Sequence, residues 1–392
     1  MSQCEVQRPL RNERTAFRLS AGFCLALPGG TRFTARVIDV IPKTMRAVVY
    51  RGVNDLRLET LPVPRIQSGE LLVRVAACGV CPTDIKKVRQ GTVSAPRVFG
   101  HETAGTIVRV GARVRGFQIG DRVGLHHHVP CMDCHFCRHR AFAQCATYKR
   151  TGVTAGFEPA GGGYAEYVRV MPFCLPGVVK IPARSTFEEG AMLEPVNTVL
   201  KAVEQLPLLK GDTVLVVGQG PIGLMFTALL ALRGARVIAT DLLENRRELA
   251  RRAGAWRTLD AADPGLVDRL RKASGGRGVD AAVVAVPVDA AVLQAQEALR
   301  GGGVVLLFAH TVRGHETPID LGRICVDEKT LTGSYSSDFV LQQRVARLVF
   351  SRKLDVRPLI THRFPLEETP TAIDLAAGPT PESLKIMVTV AG

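Results

Sequence analysis

Aromatic side chains are scarce in this sequence: they form 5% of 392 residues and include a single Trp. Proteins that grip single-stranded nucleic acid stack bases on aromatic platforms, and few are available here. Blocks of like charge are missing as well. The formal net charge is +15, with 40 Arg against 11 Lys, yet the basic residues are scattered along the whole chain. A nucleic-acid partner calls for a clustered basic stripe. A diffuse positive field instead attracts small anionic cofactors or substrates. A basic, zinc-binding nucleic-acid protein is therefore disfavoured.

A membrane span is also lacking. The uncharged stretch "VLVVGQGPIGLMFTALLAL", Val214 to Leu232, has the length of one. Three Gly and a Pro in its first ten residues make it a buried strand, a tight turn and a buried helix instead. Nor is there a disulfide framework. Six of the ten Cys lie between Cys78 and Cys145. A chain this long buries its cores without staples. The clustering points to metal binding in a reducing, cytoplasmic compartment. The first 44 residues hold seven basic and three acidic residues and no periodicity, and they lack the apolar core of a secretory signal. They read as a disordered extension, with "MRAVVYRG" from Met45 as the first natural strand.

What is present divides into two styles. From Met45 the chain is β-rich: "RAVVY", "LLVRVAA", "GTIVRV" and "GGYAEYVRV" have strand lengths and are broken by Gly and Pro. "TFEEGAMLEPVNTVLKAVEQL" shows helical spacing of apolar positions. From Thr213 strands and helices alternate: "TVLVVG", "IGLMFTALLALRG", "RVIATD", "ENRRELARRAG", "GVDAAVVAV", "DAAVLQAQEALRGGG" and "VVLLFA". This rhythm predicts an α/β fold with a doubly wound parallel sheet. A mixed stretch from Ser334 ends in the strand "KIMVTV".

Where the first of these strands meets its helix stands "VVGQGPIG", with Gly218, Gly220 and Gly223 in G-x-G-x-x-G spacing. Gly218 permits the turn, Gly220 lets backbone approach a pyrophosphate, and Gly223 lets the helix pack on the strand. Phosphates then meet the positive helix end, which Pro221 and Ile222 open. Asp241, at the end of the next strand, can accept hydrogen bonds from the adenosine ribose and would repel a 2′-phosphate. NAD is the expected cofactor, with Arg246 nearby; Arg246 and Arg247 argue weakly the other way.

Four further motifs precede this fingerprint: "CGVCPTD" (Cys78 to Asp84), "GHE" (Gly100 to Glu102), "CMDCHFCRHRAFAQC" (Cys131 to Cys145) and "MLEP" (Met192 to Pro195). Together with "GHETAGTIVRVG", "GDRV", "GGYAEYV" and "EKTLTGS", the sequence from Met45 to Val390 resembles the zinc-dependent medium-chain alcohol dehydrogenases, in their sorbitol and threonine dehydrogenase branch. The resemblance implies a β-rich, GroES-like catalytic domain over 45–195 and 335–392, and a Rossmann domain over 196–334. It implies two zinc ions per chain. Cys81 and His101 match ligands of a catalytic zinc, and either Glu194 or Glu102 supplies the third. Cys78 reads as a small buried neighbour. Asp84 matches the carboxylate that orients the ligand His, and Thr83 the hydroxyl that bonds the substrate alcohol. Cys131, Cys134, Cys137 and Cys145 match a closed structural site. His135 and His139 are not needed there, and His126, His127 and His128 read as structural.

The activity so implied is oxidation of a secondary alcohol (a polyol, sugar or amino-alcohol) by NAD, in a homodimer or homotetramer. Carbonyl reduction, or action on a phosphorylated polyol, is the alternative. Lys86 stands where many relatives carry a relay His, and an ammonium is a poor proton acceptor. Lys86, Lys87 and Arg89 could instead attract an anionic substrate. Metal analysis is expected to find about two zinc per chain, from one closed and one open site. About one zinc, unchanged in Cys81→Ser, excludes the two-site reading.

Overall fold

The computed structural model describes residues 41–126, 129–150, 161–309 and 314–390. Most of the expected N-terminal extension, together with His127 and His128, lies outside them. Thr44 already belongs to the first strand, Thr44–Gly52, where it pairs with Pro62. His126 is buried beyond the short strand Arg122–Gly124.

The β-rich body is organised around Leu71–Gly79, which is buried along almost its whole length. It pairs antiparallel with Glu102–Val110, Tyr167–Val170 and Lys385–Thr389. A seven-stranded sheet results, beside a three-stranded one built on Thr44–Gly52. The cluster Val48, Val73, Ile107, Val168 and Val388 fills its core.

The second sheet is parallel throughout and has six strands. Numbered from Thr213–Val217 by chain position, its order is 3-2-1-4-5-6, the doubly wound arrangement expected from the alternating pattern. Its strands read as continuous apolar runs because helices cover both faces: Thr213–Val217 and Val279–Val284 are buried at every position.

One hydrophobic cluster crosses from one sheet to the other. Ala77, Ala104 and Met387 of the β-rich body join Leu193, Val196 and Val199 of the helix Leu193–Glu204, and Val214 and Val216 of the parallel sheet. Each Leu or Val buried there contributes about 1.5–3 kcal/mol.

Two elements differ from the sequence reading. The helix expected across 186–206 is two helices, Phe187–Ala191 and Leu193–Glu204, parted at Met192. Pro195 explains the break: it has no N–H, and its ring would strike the carbonyl of Ala191 in a continuous helix. Within the first turn of the second helix it costs nothing. The helix expected through "ALRGGG" stops at Ala298, and Leu299–Leu307 is strand.

Thr186 caps the first helix reciprocally. Its hydroxyl accepts from Glu189 N–H at 3.1 Å, and the Glu189 carboxylate accepts from Thr186 N–H at 2.7 Å. Thr186→Ala is expected to lower stability by about 1 kcal/mol, seen as a lower urea midpoint with an unchanged slope.

Candidate metal and cofactor site

Cys81 ends the turn after Leu71–Gly79 and caps the helix Pro82–Gln90. His101 and Glu102 open the neighbouring strand, whose Glu102 lies in register with Gly79. The ligand atoms of Cys81, His101 and Glu102 all lie within 4.8 Å of one another. A thiolate, an imidazole and a carboxylate at this spacing form a zinc donor set with an open side.

Buried charge surrounds the cluster. The Asp84 carboxylate has no exposure, accepts from the Tyr164 hydroxyl at 3.1 Å, and lies 3.4 Å from His101 Nδ1. Burial opposes a proton on His101, but Asp84 and then Cys81 outweigh it, and the imidazole pKa is raised. The same field that favours a proton favours a metal cation on this imidazole. Thr83 Oγ1 lies 3.5 Å from Cys81 Sγ, in the first turn of the same helix. Cys78 is fully buried beside Thr103 and its thiol is pushed up by burial, as suits a residue that binds no metal.

Glu194 stands in the first turn of Leu193–Glu204, where the helix dipole favours an anion. It is 5% exposed. Burial raises its carboxyl to about 7, with His101 opposing and Glu102 adding to the rise. It neighbours the cluster without joining the set of three.

A residue that sequence reasoning passed over completes the centre. Lys385, at the head of the last strand, is 5% exposed. Its Nζ lies 2.6 and 2.5 Å from the two Glu102 oxygens and donates to Val80 O at 2.8 Å. A Cβ on Gly79 would collide with both side chains, so Gly79 makes the room they share. The signal was a lysine heading an otherwise apolar strand, which needs a buried partner.

The basic run beyond the metal motif is largely spoken for. Lys87 Nζ lies over the Phe99 ring at 5.2 Å and 4.0 Å from Asp84. Arg89 bonds Asp374 at 2.5 Å and Asn54 at 3.2 Å. The expected anion attraction therefore finds no support in these two residues.

The four-cysteine lobe is compact. Sγ separations are 3.5 Å for Cys134–Cys137, 3.6 Å for Cys131–Cys145 and 3.9 Å for Cys131–Cys137. A tetrahedron with metal–sulfur bonds of about 2.3 Å has edges of about 3.8 Å, whereas a disulfide needs about 2.05 Å. Burial pushes the Cys145 thiol up, but the N–H groups of Cys131 and Tyr148 prevail and bring it down to about 6. The lobe suits zinc. His135 and His139 lie outside the donor set, their rings 4.5 Å apart.

The glycine turn has the cofactor geometry. Gly218 has φ +87°, and a Cβ on Gly223 would overlap the Gly218 carbonyl. Pro221 begins the helix Pro221–Leu232, with Ile222 next. Asp241 accepts from Gln219 N–H at 2.7 Å and Leu243 N–H at 2.9 Å, which fixes its carboxylate at the turn. Arg246 lies against Gly220 and donates to the carbonyls of Thr380 and Ser383; Arg247 donates to those of Asp241 and Leu242.

Comparison with known proteins agrees with this geometry. Residues 67–183 match the alcohol dehydrogenase GroES-like domain, and residues 221–351 match the zinc-binding dehydrogenase family. A sorbitol dehydrogenase of Bombyx mori is 31% identical over 354 residues, which cover 88% of this chain and 98% of the relative. An L-threonine 3-dehydrogenase of Shewanella frigidimarina is 31% identical over 320 residues, 80% of this chain and 90% of the relative. A zinc-binding dehydrogenase of Sinorhizobium meliloti, solved with NADP bound, superposes with a TM-score of 0.81 at 27% identity, over 89% of this chain and all of the other. Among the described residues no helix is long and apolar enough to cross a membrane. With its two sheets, its thiolate–imidazole–carboxylate cluster and its four-cysteine lobe, the chain belongs to the zinc-dependent medium-chain alcohol dehydrogenases.

Proposed function

We propose that this enzyme oxidises a secondary alcohol of the polyol class with NAD, at a zinc held by Cys81, His101 and Glu102. The observation that carries the reading is the convergence of those three ligand atoms within 4.8 Å. When bound, zinc supplies a Lewis acid that eases deprotonation of the alcohol, and the nicotinamide accepts the hydride. Asp84 holds His101 in the orientation that presents its other nitrogen to the metal. Lys385 orients Glu102 by binding its carboxylate. The Thr83 hydroxyl receives the substrate O–H and hands its proton outward. Glu194, which neighbours the cluster without joining the donor set, is left to act on the substrate.

Asp241 favours NAD over NADP, because a fixed carboxylate at the end of the second parallel strand would repel a 2′-phosphate. Both nearby guanidiniums are already engaged by backbone carbonyls, although the Sinorhizobium meliloti structure contains NADP. The domain limits that go with this reading are 45–195 with 335–392 for catalysis and 196–334 for the cofactor. A cytoplasmic homodimer or homotetramer is the assembly we infer. In its support, Leu321 and Val326 are 75% and 83% exposed on the helix Leu321–Val326, next to the outermost strand of the parallel sheet.

A panel of alditols and other secondary alcohols, followed by NADH formation, tests the activity. Turnover is expected with NAD, far less with NADP, and none in Cys81→Ser; absence of turnover on every member overturns the reading. Zinc titration separates the glutamates. Glu102→Gln is expected to lose the catalytic zinc, and Lys385→Met to weaken its binding by about 10–100-fold, as loss of an orienting partner does. Glu194→Gln is expected to keep zinc and lose turnover. The reverse outcome makes Glu194 the ligand.

A further inference from the structure

A cavity of about 550 Å³ is lined by Lys201, on the helix that also carries Glu194, and shares Tyr335 with the surroundings of the Cys81, His101 and Glu102 cluster. Arg140, Lys201, Gln205, Phe308, His315 and Tyr335 are among the residues that line it. Tyr335 is the wall common to both places. It lines the cavity, is half exposed, and stands within electrostatic reach of His101, Cys81 and Glu194. Phe308 follows Leu299–Leu307 at the carboxyl end of the parallel sheet, where the nicotinamide end of a dinucleotide belongs.

Arg140 and Lys201 bring two positive charges to this cavity, and neither the glycine turn nor Arg246 lines it. The anionic part of the dinucleotide is its pyrophosphate, which the glycine turn at the helix start is suited to receive. The oxidised nicotinamide itself is positive. Lys201 is anchored through Tyr335 O at 2.8 Å and Ser336 O at 3.4 Å, which spends two of its three donors and fixes its charge at the cavity wall. Arg140 is exposed, and among the described residues its guanidinium has no carboxylate or carbonyl partner. Its backbone is left-handed, with φ +58°, and its N–H donates to Cys137 O at 2.9 Å. The four-cysteine lobe thus fixes the backbone from which Arg140 projects.

We propose that Arg140 and Lys201 receive a carboxylate at the distal end of the substrate, so that the preferred alcohol is a polyhydroxy acid rather than a neutral polyol. This rests on the dehydrogenase reading above and narrows its substrate class. Arg140 supplies a two-pronged donor suited to a carboxylate and Lys201 a fixed point charge. Gln205 lines the same cavity and offers a further amide donor. The closed zinc lobe, which takes no part in the chemistry, would act on substrate choice through the arginine it carries.

The test compares aldonates with alditols of the same carbon skeleton, gluconate against sorbitol among them, in the wild type, Arg140→Asn and Arg140→Lys. Asn is chosen because it tolerates a left-handed backbone, and zinc content checks that the lobe remains intact. The wild type is expected to favour the acids in kcat/KM. In Arg140→Asn that preference should fall by about tenfold, the size of a partly solvated charge-assisted hydrogen bond. The fall should appear in KM rather than kcat, and Arg140→Lys, which keeps the charge but not the two-pronged geometry, should restore part of it. NADH formation from alditols as efficient as from aldonates, with the ratio unmoved in Arg140→Asn, overturns this inference and leaves the dehydrogenase reading standing. NADH formation from neither series overturns both.

Discussion

Two opposite charges buried against each other govern the arrangement of the Cys81, His101 and Glu102 cluster. Taking the Glu102 carboxylate and the Lys385 ammonium out of water costs several kcal/mol each, and only close pairing with further hydrogen bonds offsets that. Both conditions hold: Lys385 meets both Glu102 oxygens and the Val80 carbonyl. The pair dictates its surroundings. Glycine at position 79 leaves room for the pair, because a Cβ there would displace both side chains. The last strand must pair beside Leu71–Gly79, because only there does its lysine reach the carboxylate. The strand that starts at Glu102 is thereby held at the depth where His101 faces Cys81.

Around this pair the fold separates positioning from reaction. Rigid strands carry the residues whose placement is demanding, and helix starts carry those that gain from the dipole. Cys81 and Glu194 both sit at helix N-termini, where a negative group is favoured. Pro195 contributes by breaking the helical run, since the break creates the new N-terminus that holds Glu194. A single apolar cluster continues from beneath this centre into the parallel sheet, so cofactor turn and metal cluster rest on one packed foundation.

Features that depend on neighbours in sequence were legible from the sequence. The strand–helix alternation, the glycine turn with Asp241, and the cysteine spacing of the lobe are local patterns, and the structure has them where the patterns stand. The resemblance to a known family supplied the union of Cys81, His101 and a glutamate, which no local pattern could. What remained hidden depends on partners far along the chain. Lys385 lies 283 residues from Glu102. Arg89 looked available until Asp374, 285 residues away, took up its charge. Tyr335 became visible only when its loop came to rest between cluster and cavity. The helix break was different: Pro195 was in plain view, and the apolar periodicity on either side of it concealed the interruption.

The 283-residue separation also sets an order of assembly. Closing so long a loop costs more entropy than closing a short one, and that cost is lowered once the intervening parallel sheet has taken shape. Until then Glu102 is a lone carboxylate beside a thiol and an imidazole. The four-cysteine lobe, whose ligands span only fourteen residues, faces no such delay. One chain therefore contains a four-cysteine cluster able to form from local sequence and a thiolate–imidazole–carboxylate cluster that is complete only in the finished fold. Zinc taken up during folding would fill them in that sequence, with the reactive centre last.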